Sequence, residues 1–443
     1  MSEDTDVMPA DVGGALAAMR ARHLLASALA ERQLARVAAT DGDIQAWETL
    51  DPAHVRREAA RCDTAGAQGA LAGIGIGVKD IIDTAELPTT MGSPIYATHQ
   101  PTADAACVAR LRAAGAYVFG KTVTTPFAFM DPGKTRNPWN AHHSPGGSSS
   151  GSAAAVAAGH VLAAIGTQTN GSVVRPAAYC GVVGFKPTRN AIPYGGACLF
   201  AEQFDTVGTF TRTVADAARV ASVLADPGRI APVVSVPARA PRLAFLARFP
   251  WTTHDAATDA AIAAAVARLG QEAQVMPIEV PAEWRAANVV MRTIMLHEGA
   301  LSLGGLQERH RTELTPNLNA ALDEGRAIGT AQYRHAQAAR GDAIEFFSRW
   351  LADYDAVLAP SAPGPAPRGI TTTGDPSCCT LWSLLGFPAL NLPAGLVGGL
   401  PVGLQLAAPQ GTDDRVLAVA AWCEARLPFA PLAQCAGFRD DRT

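Results

Sequence analysis

Two stretches of this 443-residue chain are rich enough in glycine and serine to do chemistry. The first runs Ser144-Pro145-Gly146-Gly147-Ser148-Ser149-Ser150-Gly151-Ser152 and leads straight into an alanine-rich segment. The second runs Gly166-Thr167-Gln168-Thr169-Asn170-Gly171-Ser172-Val173-Val174-Arg175-Pro176. Small residues before a serine let consecutive backbone N–H groups turn toward one point, which is the geometry of an oxyanion hole. A serine hydroxyl also needs a base, and the second stretch contains no histidine. Lys79 can serve, because it follows the apolar run GIGIGV directly. Burial strips hydration from a lysine, lowers its pKa and favours the neutral amine, which accepts a proton. If Lys79 does not touch Ser172, a second hydroxyl such as Ser148 can relay the proton.

Other readings of the same residues stand beside this one. A phosphate cradle would end in Gly-Lys-Ser/Thr, and that ending is missing. A nucleophile elbow, G-x-S-x-G, is present around Ser149, between Gly147 and Gly151. His297, His310 or His335 could complete it, but the segment before Ser149 is not an apolar strand. A metal site needs clustered ligands, and His142-His143, the adjacent histidine pair, would rarely face one ion. We therefore expect no metal.

The elements that must hold these residues read as alternating helix and strand. Residues 8–40 have leucines and a methionine at near-helical spacing and predict one helix. Residues 71–83 predict a buried strand and turn. Asp104 is expected to cap a helix that Gly115 closes, followed by a strand at Tyr117-Val118-Phe119. Helix–strand units are expected over 153–165, 255–280 and 330–359, then a strand at PVGLQLAAP and a last helix. The stretch from Asp226 to Pro241 reads as a surface excursion. This rhythm predicts an α/β sheet with helices on both faces.

Hydrophobic residues make up 48% of the chain and charged residues 17%, so a disordered protein is excluded. The net charge of −4 offers no basic field for nucleic acid. No apolar run reaches the length of a membrane span. The acidic, polar start does not read as a signal peptide. Eight cysteines, Cys62, Cys107, Cys180, Cys198, Cys378, Cys379, Cys423 and Cys435, form no C-x-x-C pair and read as reduced thiols of a cytoplasmic protein.

The run from Gly146 through Lys186-Pro187-Thr188 resembles the amidase signature family. The likeness extends upstream to GIGVKDIIDT, LRAAGAYVFGKTVTTPFAF and TRNPWN. Downstream it takes in FDTVGTFTRTVADAARV, SAPGPAP and GFPALNLPAGLVGGLPVGLQLAAP. It covers about 43–220 and 350–425 and weakens over about 225–345. The resemblance implies a single amidase domain over 1–443 with one large mixed sheet, its middle region shaping the substrate site. G-T-Q-T and S-V-V-R-P give it the flavour of malonamidase and of biuret- and carbamate-hydrolysing members.

What the resemblance implies can be placed residue by residue. The family's lysine falls on Lys79, its bridging serine, after a cis peptide bond, on Ser148, and its nucleophile on Ser172. The two serines are 24 positions apart, as in the family. The backbone N–H groups of Thr169, Asn170, Gly171 and Ser172 would form the oxyanion hole, and Ser149 would hydrogen-bond the lysine. Asn170 stands where glycine is usual and Gln168 where aspartate is frequent. Asparagine tolerates unusual backbone angles, so the hole is expected to survive. Phe127, Phe129, Met130, Leu199, Phe200 and Trp382 are available to line an apolar pocket. Arg175 could clamp a substrate carboxylate, but the apolar lining favours uncharged amides, anilides or carbamates, with Arg175 orienting local structure. The expected enzyme is a hydrolase of small amides, carbamates or ureas, with ester side activity and no need of a metal or organic cofactor. It would be free of nucleic acid and membrane, with a homodimer allowed. The alternative is the A subunit of a tRNA-dependent amidotransferase, which shares the triad but works with partner subunits.

Overall fold

The computed structural model describes residues 8–66 and 68–430, so Cys435 lies outside the described residues. The described strands are β1 (Trp47–Thr49), β2 (Gly75–Lys79), β3 (Tyr117–Thr122), β4 (Ala163–Gln168), β5 (Val183–Lys186) and β6 (Thr206–Thr211). They continue with β7 (Arg242–Leu246), β8 (Gln274–Ile278), β9 (Ala356–Pro360), β10 (Ala389–Val397) and β11 (Leu400–Ala407). All join one sheet in the order β1-β3-β2-β4-β6-β5-β10-β11-β9-β7-β8. Strand β2 runs parallel to both β3 and β4, and β7 runs parallel to β8 and β9. The remaining pairings are antiparallel.

The described helices begin with α1 (Val12–Arg20), α2 (Ala26–Ile44), α3 (Pro52–Ala65), α4 (Ala106–Ala113), α5 (Ser150–Ala158), α6 (Val174–Cys180) and α7 (Val214–Leu224). Then come α8 (Ala256–Leu269), α9 (Ala287–His310), α10 (Pro316–Ala327), α11 (Thr330–Trp350), α12 (Ser377–Leu385) and α13 (Asp413–Glu424). Apart from the edge strands β1 and β8 the sheet is buried on both faces, and strand alternation shows it. In β9, Ala356 and Leu358 join one apolar core, while Val357 and Ala359 join the other. The first core also holds residues of α2, α5, α7 and α13, and the second those of α9 to α12. This is a single α/β domain with a large mixed sheet.

Two local expectations need correction. The helix predicted over 8–40 is two helices, broken where Arg22 takes a φ of 60°. The start of α2 is capped from a distance: the Asp63 carboxylate accepts from Ala26 N (2.7 Å) and Ser27 N (3.2 Å). No pattern within 8–40 carries that information. Asp104 does not cap α4 either. Its carboxylate accepts from Ala85 N and from Arg112 Nε, and Ala105 holds the cap position without a side-chain bond. The Asp226–Pro241 stretch is irregular after Asp226, with Val233 and Val236 exposed, as a surface excursion should be. Among the described residues no helix is long and apolar enough to cross a membrane.

Helix α5 meets the end of β3 at Gly151. A Cβ there would sit 2.2 Å from Ala46 O and 2.4 Å from Val123 N, both backbone atoms. Gly151→Ala should therefore destabilise the protein by about 1–3 kcal/mol, read as a fall in Tm by calorimetry, since such contacts cannot be relieved by a rotamer change. An unchanged Tm would show that α5 can shift away from β3.

Candidate functional site

Lys79 ends β2, and Thr167 and Gln168 end the neighbouring parallel strand β4. Parallel strands present their carboxyl ends together, and crevices there are the usual ligand sites of such sheets. The Lys79 side chain is fully buried. Its Nζ donates to Ser148 Oγ at 2.7 Å and to Thr167 Oγ1 at 2.9 Å. Ser148 follows a cis peptide bond from Gly147, and its carbonyl accepts from Thr125 N at 3.3 Å. Ser148 is 1% exposed and Ser172 is 7% exposed, so both serines are buried.

Residues 169–172 form the turn between β4 and α6. Gly171 has a φ of +83°, and a Cβ on it would meet Pro376, Arg175 Nη1 and Cys379. Asn170 has no positive φ, so its backbone does not require glycine. This is a simpler reason for tolerance than asparagine's liking for unusual angles. The Asn170 side chain turns to α12, where Nδ2 donates to Thr380 Oγ1 at 3.2 Å. Gln168 is fully buried. Its Oε1 accepts from Val173 N (2.9 Å) and Val174 N (3.1 Å), and its Nε2 donates to Ser383 Oγ (3.2 Å).

Ser149 does not hydrogen-bond the lysine as expected. Its hydroxyl donates to Thr167 O at 3.1 Å, and it accepts from Thr167 N at 3.3 Å. It nests against Gly166, where a Cβ would come within 2.6 Å of Ser149 Oγ. Thr167 takes the place at the lysine instead, and sequence reasoning missed it. The nucleophile-elbow reading finds no support, because no histidine is bonded to Ser149. His297 stacks on Tyr333 at 4.2 Å and His310 pairs with Glu313.

Sequence reasoning also missed Asp205, a buried acid in the FDTVGTF run. Its carboxylate accepts from Thr169 Oγ1, Phe200 N and Ala201 N, so it joins the turn to the 200–205 loop. Burial lowers the Lys79 pKa to about 7, with Asp205 and then Cys198 pulling the other way. Burial raises the Asp205 pKa to about 6, opposed by its three hydrogen bonds and by Lys79. Above about pH 7 the amine is thus neutral and able to accept a proton. The next buried lysine, Lys121, has a different role. It lies 3.3 Å from Asp80 and donates to Ile82 O, Pro88 O and Thr89 Oγ1, so it braces the turn after Lys79.

Arg175 is 4% exposed. Its Nη2 donates to Gly147 O (2.7 Å) and Thr373 Oγ1 (3.3 Å), while Nε and Nη1 have no hydrogen-bond partner among the described residues. Of the residues expected to line a pocket, Phe129 is half-buried and stacks on Phe200 at 5.3 Å, and Met130 and Leu199 are exposed. Phe127, Phe200 and Trp382 are core residues, and Trp382 packs edge-on against Phe249. The Phe129 segment hangs on Thr125, whose hydroxyl donates to Phe129 O and whose amide donates to Ser148 O. Among the described residues, no group of three or more His, Cys, Asp or Glu is placed to hold a metal ion.

Comparison with known proteins gives this geometry a context. The family model described as Amidase matches residues 28–417. The glutamyl-tRNA(Gln) amidotransferase A subunit of Symbiobacterium thermophilum is 34% identical, with 90% of this chain and 93% of that protein covered. A crystal structure of an amidase superposes with a TM-score of 0.86 at 31% identity, covering 94% of this chain and 100% of that one. Native peptide amidase from Stenotrophomonas maltophilia gives 0.81 at 29% identity, with 96% and 98% covered.

The electrostatics predict a single ascending limb in the pH dependence of kcat/KM, with a midpoint near 7, as Lys79 loses its proton. The Asp205 carboxylate favours the ammonium form, so Asp205→Asn should move the midpoint to lower pH. Lys79→Ala should cost orders of magnitude. A midpoint that moves upward in Asp205→Asn, or that disappears on replacing a histidine, would remove Lys79 from the role of base.

Proposed function

This chain belongs to the Amidase family and is an amide-cleaving enzyme, and from that premise we propose that it hydrolyses small uncharged amides through Ser172, Ser148 and Lys79. The observation that carries the proposal is the dry contact of 2.7 Å between Lys79 Nζ and Ser148 Oγ, at a lysine whose pKa is held near 7. Neutral Lys79 accepts the proton of Ser148 as Ser148 accepts that of Ser172. Ser172 Oγ attacks the carbonyl carbon, and the N–H groups of residues 169–172 receive the developing oxyanion. One such donor is worth about 3–4 kcal/mol of barrier in a preorganised site. The relay then returns a proton to the leaving nitrogen, the C–N bond breaks, and water releases the acyl group from Ser172 by the same route.

Anilides, carbamates and ureas carry the same kind of carbonyl and are the next substrates to consider. The half-buried Phe129, tied through Thr125 to the Ser148 carbonyl, favours an apolar substituent. Arg175 bonds to Gly147 O and Thr373, which supports an orienting role beside the bond that sets Ser148.

A second reading rests on the relatives. The 34% identity to the A subunit of a glutamyl-tRNA(Gln) amidotransferase favours a chain that acts with partner subunits on a tRNA-linked substrate. Both readings share the acyl-transfer chemistry, and they part on what accepts the nitrogen. Purified single chain should release ammonia from a panel of aliphatic and aryl amides. Ser172→Ala should abolish release while leaving Tm within a few degrees of the unsubstituted protein. Fluorophosphonate should label Ser172 and not Ser149. Turnover that appears only on adding the other subunits of an amidotransferase would establish the second reading instead. In a matched pair, a neutral anilide should be cleaved faster than malonamate. The reverse order, erased by Arg175→Ala, would give Arg175 the anion-clamp role.

A further inference from the structure

Two polar side chains at the oxyanion turn, Gln168 at the end of β4 and Asn170 within the turn, meet the same helix. Asn170 Nδ2 donates to Thr380 Oγ1 at 3.2 Å, and Gln168 Nε2 donates to Ser383 Oγ at 3.2 Å. Thr380 and Ser383 are three residues apart in α12, so their hydroxyls project from one face of the helix. Both are nearly fully buried, at 5% and 3% exposure. The other end of Gln168 is committed too, since Oε1 accepts the amides of Val173 and Val174, directly after Ser172. An aspartate at position 168 could accept those amides but would have no N–H to give Ser383. A glycine at position 170 would leave Thr380 without its side-chain partner. The two amide side chains and the two α12 hydroxyls thus form a matched set.

We propose that Thr380 and Ser383 are positioning residues that clamp the oxyanion turn to α12 through Asn170 and Gln168. The role rests on the functional reading above, because it acts on the N–H groups of residues 169–172. Neither hydroxyl touches the reacting atoms. Thr380 holds the side chain of Asn170, whose N–H must point at the oxyanion, and Ser383 holds Gln168, whose Oε1 ties down the amides that follow Ser172, so loss of either should lower kcat and leave KM nearly unchanged. A neutral hydrogen bond of this kind corresponds to about a three- to tenfold effect on rate.

The experiment uses the full chain and two readouts: the rate of Ser172 labelling by a fluorophosphonate, and kcat and KM on a cleaved amide. Thr380→Val and Ser383→Ala should each slow labelling and kcat by about three- to tenfold. The double variant should depart from the product of the two single losses, because both pairs hold one turn. Thr380→Ser and Ser383→Thr keep the hydroxyls and should restore the rate, which separates the clamp from a loss of packing. Labelling and kcat within twofold of the unsubstituted protein, in variants with unchanged Tm, would overturn the proposal. Equal loss in Thr380→Ser and Thr380→Val would overturn it as well. Failure of Ser172 to label in the unsubstituted chain would instead overturn the functional reading itself, and the clamp with it.

Discussion

The site depends on one unfavourable placement, a lysine amine with no access to water. Lys79 is fully buried at the end of β2, where two hydroxyls take the place of hydration. Neither Ser148 nor Thr167 carries a charge that would hold the proton on nitrogen. Asp205 exerts an opposing pull, and burial outweighs it. The balance puts the amine near the pH at which it can both accept and return a proton. The rest of the architecture serves to keep that pocket dry and that distance short.

Sheet topology supplies the placement. Parallel pairing of β2 with β4 sets Val78 opposite Ile165, so Lys79 and Thr167 emerge at one edge. Helix α5 starts at Ser150 and is buried along its whole length, which brings Ser148 and Ser149 against the same strand ends. Glycines make room at the closest approaches: Gly151 against the backbone of Ala46 and Val123, Gly166 against Ser149. Lys121 and Asp80 pair behind the lysine and brace the turn that follows it. The helical layer of α9 to α11 reaches the site indirectly. Glu298 of α9 accepts from Gln203 N and Nε2 and from Tyr333 in α11, which steadies the loop that Asp205 also holds.

Much of this placement is legible in the amino-acid sequence. The apolar run before Lys79 reads as a strand because residues of Gly, Ile and Val leave little else to build, and its end is the natural place for a desolvated amine. The strand ends and the turn at 169–172 follow from small residues at the right places. Contacts that join distant segments are not legible. Thr167 looks like any strand threonine, and only the approach of β2 makes it a partner of Lys79. Ser149 is expected at the lysine, yet the space above Gly166 draws it to β4. Asp205 partners atoms in two segments, and Asp63 caps a helix 37 positions away. Local pattern cannot show such pairings, because the chain separation carries no signal of spatial closeness.

Everything in the mechanism rests on Lys79 being neutral at working pH, and its protonation state can be read directly. Lysine labelled with 13C at Cε, followed by NMR from acid to alkaline pH, reports the titration of each amine, and Lys79→Arg assigns the signal. A midpoint near 7 is expected for Lys79. A midpoint near the ~10.4 of a free lysine would contradict the role of Lys79 as base.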